Sequence, residues 1–223
     1  MADSQKNRKS RTPRALKPRA SDPASTAERV SDLAWAGQHA QAIELATAAL
    51  ATPGSSVGSR LDLLDLRAES YIAVGKLDLA AADATAMVRL AAAGKSHAFM
   101  AQALIRKALV QMRQGEMKPA LESAVAATKA ARQSREKSLL AASLSTLGEV
   151  EIRLGSYEAG RKTAQQAVGL FEAERQPRAQ GGPIGSSHSP GTSWAASRKR
   201  VPPDKGRWNT AAARVTGMAS QMR

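Results

Sequence analysis

Apolar and polar residues alternate along the middle of this chain with the period of a helix. In residues 96–114, Phe99, Ala103, Leu104, Ala108 and Met112 recur at i, i+4, i+5, i+9 and i+13, which marks one face of an α-helix. Patterns of this kind predict eight amphipathic helices, over 26–36, 38–51, 59–74, 76–93, 96–114, 117–133, 136–154 and 156–175. Alanine and leucine favour helix throughout, and no valine/isoleucine runs of strand type interrupt them. Ser25 and Thr26 are placed to cap the first helix and Ser59 the third. The longest break, TPGSSVGS at 52–59, separates the first two helices from the rest.

A second, longer period lies over the first. Gly37, Gly75, Gly115 and Gly155 are spaced by 38, 40 and 40 residues. Nine residues after each glycine stands an alanine: Ala46, Ala84, Ala124 and Ala164. Five residues after three of them stands another, Ala42, Ala80 and Ala120, with Gly160 in the fourth. Two residues after each is a bulky side chain, His39, Leu77, Met117 or Tyr157, and eleven before the last three are Leu64, Leu104 and Leu144. Packing explains the pattern. A glycine can take the left-handed conformation that ends a helix. Small residues at +5 and +9 share a face, one turn apart, and let the second helix of a pair approach the first. One helix pair cannot cover its own apolar face, so neighbouring pairs must stack.

These positions resemble the tetratricopeptide repeat (TPR). Leu144, Leu147, Gly148, Leu154, Gly155 and Tyr157 carry the likeness most fully. Leu64, Ala68, Tyr71, Gly75 and Ala80 carry it in the second unit, and Leu104, Ala108, Gly115 and Ala120 in the third. The first unit shows it mainly through Gly37, Ala42, Ala46 and Ala49. The likeness covers residues 26–175, and the period is nearer 40 than the family's usual 34. Units of this length look like those of bacterial regulatory proteins, where they adjoin transcription-factor or nucleotide-cyclase domains. The resemblance implies an all-α fold, a right-handed superhelical solenoid of four helix pairs. The alternative is an unrelated alanine-rich bundle.

Composition narrows the picture further. The chain has no cysteine, so it has neither a disulfide framework nor a thiolate metal site. Aromatic residues make up only 3%, so Ala, Leu, Val, Ile and Met must build the core. No apolar run approaches the roughly 18–20 residues of a membrane span, and the polar, basic N-terminus does not read as a secretory signal. The expected location is the cytoplasm, with no membrane contact. The net charge of +14 is concentrated outside the repeats: +5 over 1–26, +2 over 27–176 and +7 over 177–223. Residues 1–25 and 176–223 are poor in large apolar side chains or rich in Gly, Ser, Pro and Arg, and are expected to be disordered arms flanking a repeat domain at 26–175.

Signals for catalysis, cofactors or metals are weak. Gly94-Lys95-Ser96 resembles the end of a phosphate-binding loop, but Arg89 stands where the motif needs its first glycine, and no strand precedes it. His39, His97 and His188 sit in separate segments without ligand-like neighbours, and His39 reads as a packing residue. Asp62, Asp65 and Glu69 share a helical face, which reads as solvated rather than as a cation site. No catalytic residue, cofactor or metal is expected.

Charge inside the repeats is zoned. Residues 28–83 are net −4 and residues 89–137 net +7. The resemblance implies that the first helix of each pair lines a concave groove. By register that groove takes Asp62, Asp65, Glu69 and Ile72 from unit two. It takes Gln102, Ile105, Arg106, Leu109 and Arg113 from unit three, and Ser145, Glu149, Ile152 and Arg153 from unit four. Acidic and basic zones over an apolar floor suit an extended or helical peptide. Relatives that clamp a peptide's C-terminal carboxylate use asparagines, and the asparagines here, Asn7 and Asn209, lie outside the repeats. The leading expectation is a protein- or peptide-binding scaffold. A second reading is weak, non-specific nucleic-acid binding through the terminal segments, with Trp194 and Trp208 to stack. A third makes the chain a frameshifted or truncated part of a larger regulator. The sequence leaves the oligomeric state open.

Overall fold

The computed structural model describes residues 23–175. They form eight helices: α1 Pro23–Trp35, α2 His39–Ala51, α3 Val57–Ala73, α4 Leu77–Ala93, α5 His97–Gln114, α6 Met117–Ser134, α7 Lys137–Arg153 and α8 Tyr157–Arg175. No strand occurs among the described residues. The expected disorder of the arms lies outside them, apart from residues 23–25, which belong to α1.

Two helix starts differ from expectation. Helix α1 begins at Pro23, where a proline fits the first turn because no backbone donor is needed there. Ser25 and Thr26 therefore lie inside the helix rather than at its cap. Helix α3 is capped by Ser56, whose Oγ accepts from the Ser59 backbone N–H at 3.1 Å, so Ser59 is the receiving residue and not the cap. Ser96 caps α5 in the same way, accepting from Phe99 N–H at 3.3 Å.

The four repeat glycines end their helices identically. Their φ angles are +77°, +77°, +83° and +83° for Gly37, Gly75, Gly115 and Gly155, a region costly for any residue with a Cβ. Each glycine N–H donates to the carbonyl three residues back. The following N–H donates to the carbonyl five back: Gln38 to Leu33, Lys76 to Tyr71, Glu116 to Gln111 and Ser156 to Glu151, at 2.8–2.9 Å. This is the Schellman arrangement, repeated four times. It satisfies the last carbonyls and turns the chain back in two or three residues, so each pair is antiparallel.

The pairs close over small residues. Ala68, Ala80, Ala108 and Ala120 are all fully buried. They stand seven before and five after their glycines, and the fourth unit has Gly148 and Gly160 at these positions. Leu61, Leu63, Met87, Val110 and Val150 fill the volume between pairs. The odd-numbered helices pack on one another in sequence, α1 on α3, α3 on α5 and α5 on α7. Each even-numbered helix before α8 packs on the odd helix before it and the one after it, and α8 packs on α7. The result is an α-α solenoid of four pairs, with an inner layer of odd helices and an outer layer of even ones.

Candidate partner-binding groove

The inner layer brings the acidic residues of α3 against the basic ones of α5. Arg106 is only 6% exposed. Its Nε donates to Asp65 Oδ1 at 2.5 Å and its Nη2 to Glu69 Oε2 at 3.4 Å. Gln102, also buried, reaches Asp62 Oδ1 at 3.5 Å. Burial opposes the charge on Arg106, but attraction to Asp65 and Glu69 and the hydrogen bonds to them prevail and raise its pKa above the ordinary value. Asp62, Asp65 and Glu69 are half-buried. The acidic face of unit two and the basic face of unit three thus meet in a polar seam between neighbouring units.

The other predicted groove residues stand apart from this seam. Arg113, at the end of α5, is exposed, and Ser145 on α7 is half-buried. Arg153 donates to Glu149 at 3.0 Å within α7, an exposed i,i+4 pair. Ile72, Ile105, Leu109 and Ile152 are half-buried along the same helices. Ile72 packs on the core of Ala68, Ala80 and Ala84, and Ile152 lies against Gly160 of α8, so these two serve the contact within their pairs instead of a groove floor, whereas Ile105 and Leu109 stand one turn apart on α5 as a short apolar strip of the inner layer.

Two features escaped the sequence reading. Trp35, 48% exposed, closes α1 two residues before Gly37. Ala73, Arg113 and Arg153 hold the same register, so the ends of the odd helices carry a row that begins with an indole. Counting back from each glycine would have found it. The second feature is a bidentate pair. Arg67 donates through Nε to Asp83 Oδ2 at 2.8 Å and through Nη2 to Oδ1 at 2.6 Å. Its Nη1 reaches Thr47 Oγ1 at 2.9 Å, and its guanidinium lies 5.8 Å from the centre of the Tyr71 ring. It ties α2, α3 and α4 together, and the hydrogen bond to Asp83 raises its pKa. No local pattern signals a contact between residues so far apart.

His39 is half-buried at the start of α2, and its Nδ1 has no hydrogen-bond partner among the described residues. No helix of the described residues is long and apolar enough to cross a membrane.

No protein-family profile matches the chain, and no curated protein matches it in sequence. Solved structures do match its shape. RapI in its apo form is similar at a TM-score of 0.59 and 15% identity, over 70% of this chain and 58% of RapI's own length. A kinesin light chain-type protein of Podosopora anserina with nearly identical TPR-like repeats is similar at a TM-score of 0.56 and 18% identity, over 90% of both chains. A point variant of that protein gives the same TM-score at 19% identity. At such identities the likeness bears on shape alone, and by that measure the chain has the fold of the TPR-like helical-repeat proteins.

Proposed function

We propose that the protein is a non-catalytic scaffold that binds a peptide or protein segment along the inner layer of its solenoid. The observation that carries this reading is the short apolar strip of Ile105 and Leu109 on α5, continued by exposed Arg113 and neighboured on α7 by Glu149 and Arg153. A partner that buries apolar side chains on the strip and sets carboxylates beside Arg113 and Arg153 would combine an apolar core with a polar rim, the usual anatomy of a specific interface. Trp35 extends the surface with an aromatic anchor of the kind that dominates binding energy. Asp65 and Arg106 belong to the scaffold in this reading, because they hold each other rather than a ligand.

Selection of peptides from a random display library on the full chain tests the proposal. Selected peptides should bind the Leu109→Glu/Arg113→Glu variant at least about tenfold more weakly, the scale of one lost interface anchor. Their affinity for Val125→Glu, on the outer helix α6, should be unchanged. Peptides indifferent to the α5 substitutions would place the binding surface elsewhere.

A further inference from the structure

The two long edges of the solenoid differ in chemistry. One edge holds the turns inside each pair. It carries the exposed apolar side chains Trp35, Val74, Leu79, Leu154 and Tyr157, with charges of both signs nearby. The opposite edge holds the turns between units. Around the second and third of these turns stand Arg89, Lys95, Lys129, Arg132, Arg135 and Lys137, all exposed. None of the six is in an ion pair among the described residues. The one carboxylate within the same stretches is Glu136, which is half-buried, and burial raises its pKa above the usual range.

Backbone geometry singles out two of these cations. Lys95 and Arg135 have φ of +49° and +61°, and no other non-glycine residue among the described ones is left-handed. L-residues with a Cβ seldom take this conformation. The two stand in equivalent turns, one repeat apart. The first inter-unit turn, at 52–56, has Gly54 as its left-handed residue and no charge. Glycine would suit all three turns better on backbone grounds, so the side chains at 95 and 135 hold their places against a local preference. An outlier of this kind points toward function.

Both ends of the described helices lie on the same edge. Helix α1 starts there at Pro23 and α8 finishes there at Arg175. The sequence joined at Pro23, residues 1–22, holds seven lysines and arginines against two aspartates. The sequence joined at Arg175, residues 176–223, holds eight against one.

We infer that the inter-unit edge binds the phosphate backbone of duplex nucleic acid, without reading its bases. A protein partner needs a desolvated apolar centre, because isolated surface ion pairs contribute little. Among the described residues this edge lacks such a centre: of their exposed large apolar side chains it holds only Val57. A nucleic-acid backbone needs no such centre, since release of its condensed counterions drives binding by cations alone. No phenylalanine, tyrosine or tryptophan lies within 89–97 or 129–137, so a single strand would find no platform there for its bases. This surface is distinct from the groove proposed for peptides.

Fluorescence anisotropy of the full chain with a labelled 20-base-pair DNA, across about 50–200 mM NaCl, tests the inference. Lys95→Gly/Arg135→Gly should weaken binding on the order of tenfold and lower the slope of log K against log salt by about 1.8, two phosphates at about 0.9 each. The same variant should melt at or above the parent temperature, because glycine relieves both left-handed positions. A control, Lys76→Ser/Lys118→Ser, removes the same charge from the other edge and should leave affinity within about twofold. Equal losses in the two double variants, or none in the first, would overturn the proposal. So would competition by poly-glutamate as effective as that by unlabelled duplex, which would indicate an acidic protein segment. Tighter binding of a single-stranded 20-mer than of the duplex would overturn the duplex assignment.

Discussion

At the scale of the residue, two buried polar side chains have opposite standing. Ser70 is fully buried and its Oγ has no hydrogen-bond partner among the described residues. Val110 and Val150 fill the same register in the next two units, also fully buried. An unsatisfied hydroxyl there weakens the fold. Ser70→Ala should therefore stabilise it by about 1 kcal/mol, read as a higher urea midpoint at unchanged slope. A lower midpoint would mean that the hydroxyl has a partner in solution. Arg106 is the reverse case, since its charge is matched by Asp65 and Glu69. Arg106→Ala leaves two carboxylates facing a gap and should cost about 3–5 kcal/mol. Adding Asp65→Ala and Glu69→Ala should return part of that loss, because the uncompensated charges are then gone. If the triple variant is no more stable than the single one, the pairing contributes less than packing of the arginine stem.

At the scale of the element, the distance between the helices of a pair is set by small residues, and in the fourth pair both positions are glycine, Gly148 and Gly160. A Cβ on Gly160 would lie 2.6 Å from Ile152 Cγ1 and 2.9 Å from the Gly148 carbonyl oxygen. Units two and three carry alanine at this register, yet Gly160→Ala should destabilise unit four. Overpacking costs about 1–3 kcal/mol, against a gain of up to ~1 kcal/mol from helix propensity. A rise in melting temperature would show that α8 can shift outward freely. Ala80 and Ala120 are fully buried at the equivalent contacts. Ala80→Trp or Ala120→Trp should cost about 1–3 kcal/mol or more, and a variant melting like the parent would place these residues elsewhere.

At the scale of the molecule, the extensive helix contacts among the described residues run within units and between neighbouring ones, so stability is close to a sum of unit and interface contributions. Inner units have two neighbours and outer units one. On α8, Val168, Leu170 and Phe171 remain half-buried, whereas Ala91 and Ala131, which match Phe171 in α4 and α6, are fully buried under the next unit. Hydrogen exchange should accordingly be slowest in α4–α6 and roughly tenfold or more faster in α8, following the graded opening of repeat arrays. Uniform protection along α1–α8 would indicate a single cooperative block.

The sequence by itself determined the elements, their pairing and their stacking. Those features rest on local rules: a 3.6-residue period, a glycine able to turn left-handed, and alanines where backbones approach. Each expected helix lies within three residues of its observed bounds at either end, and the register of Gly37, Gly75, Gly115 and Gly155 is the register of the fold. Only the tertiary structure decided what the charges face. Asp65 and Arg106 are 41 residues apart and appeared as two zones of one groove. In the fold they face each other across the contact between α3 and α5, a juxtaposition set by packing between units. The same holds for Arg67 with Asp83 and for the basic edge. The described helices are eight, an even number in antiparallel succession, so the start of α1, the end of α8 and the cationic turns fall on one side, a consequence of topology that no single segment carries.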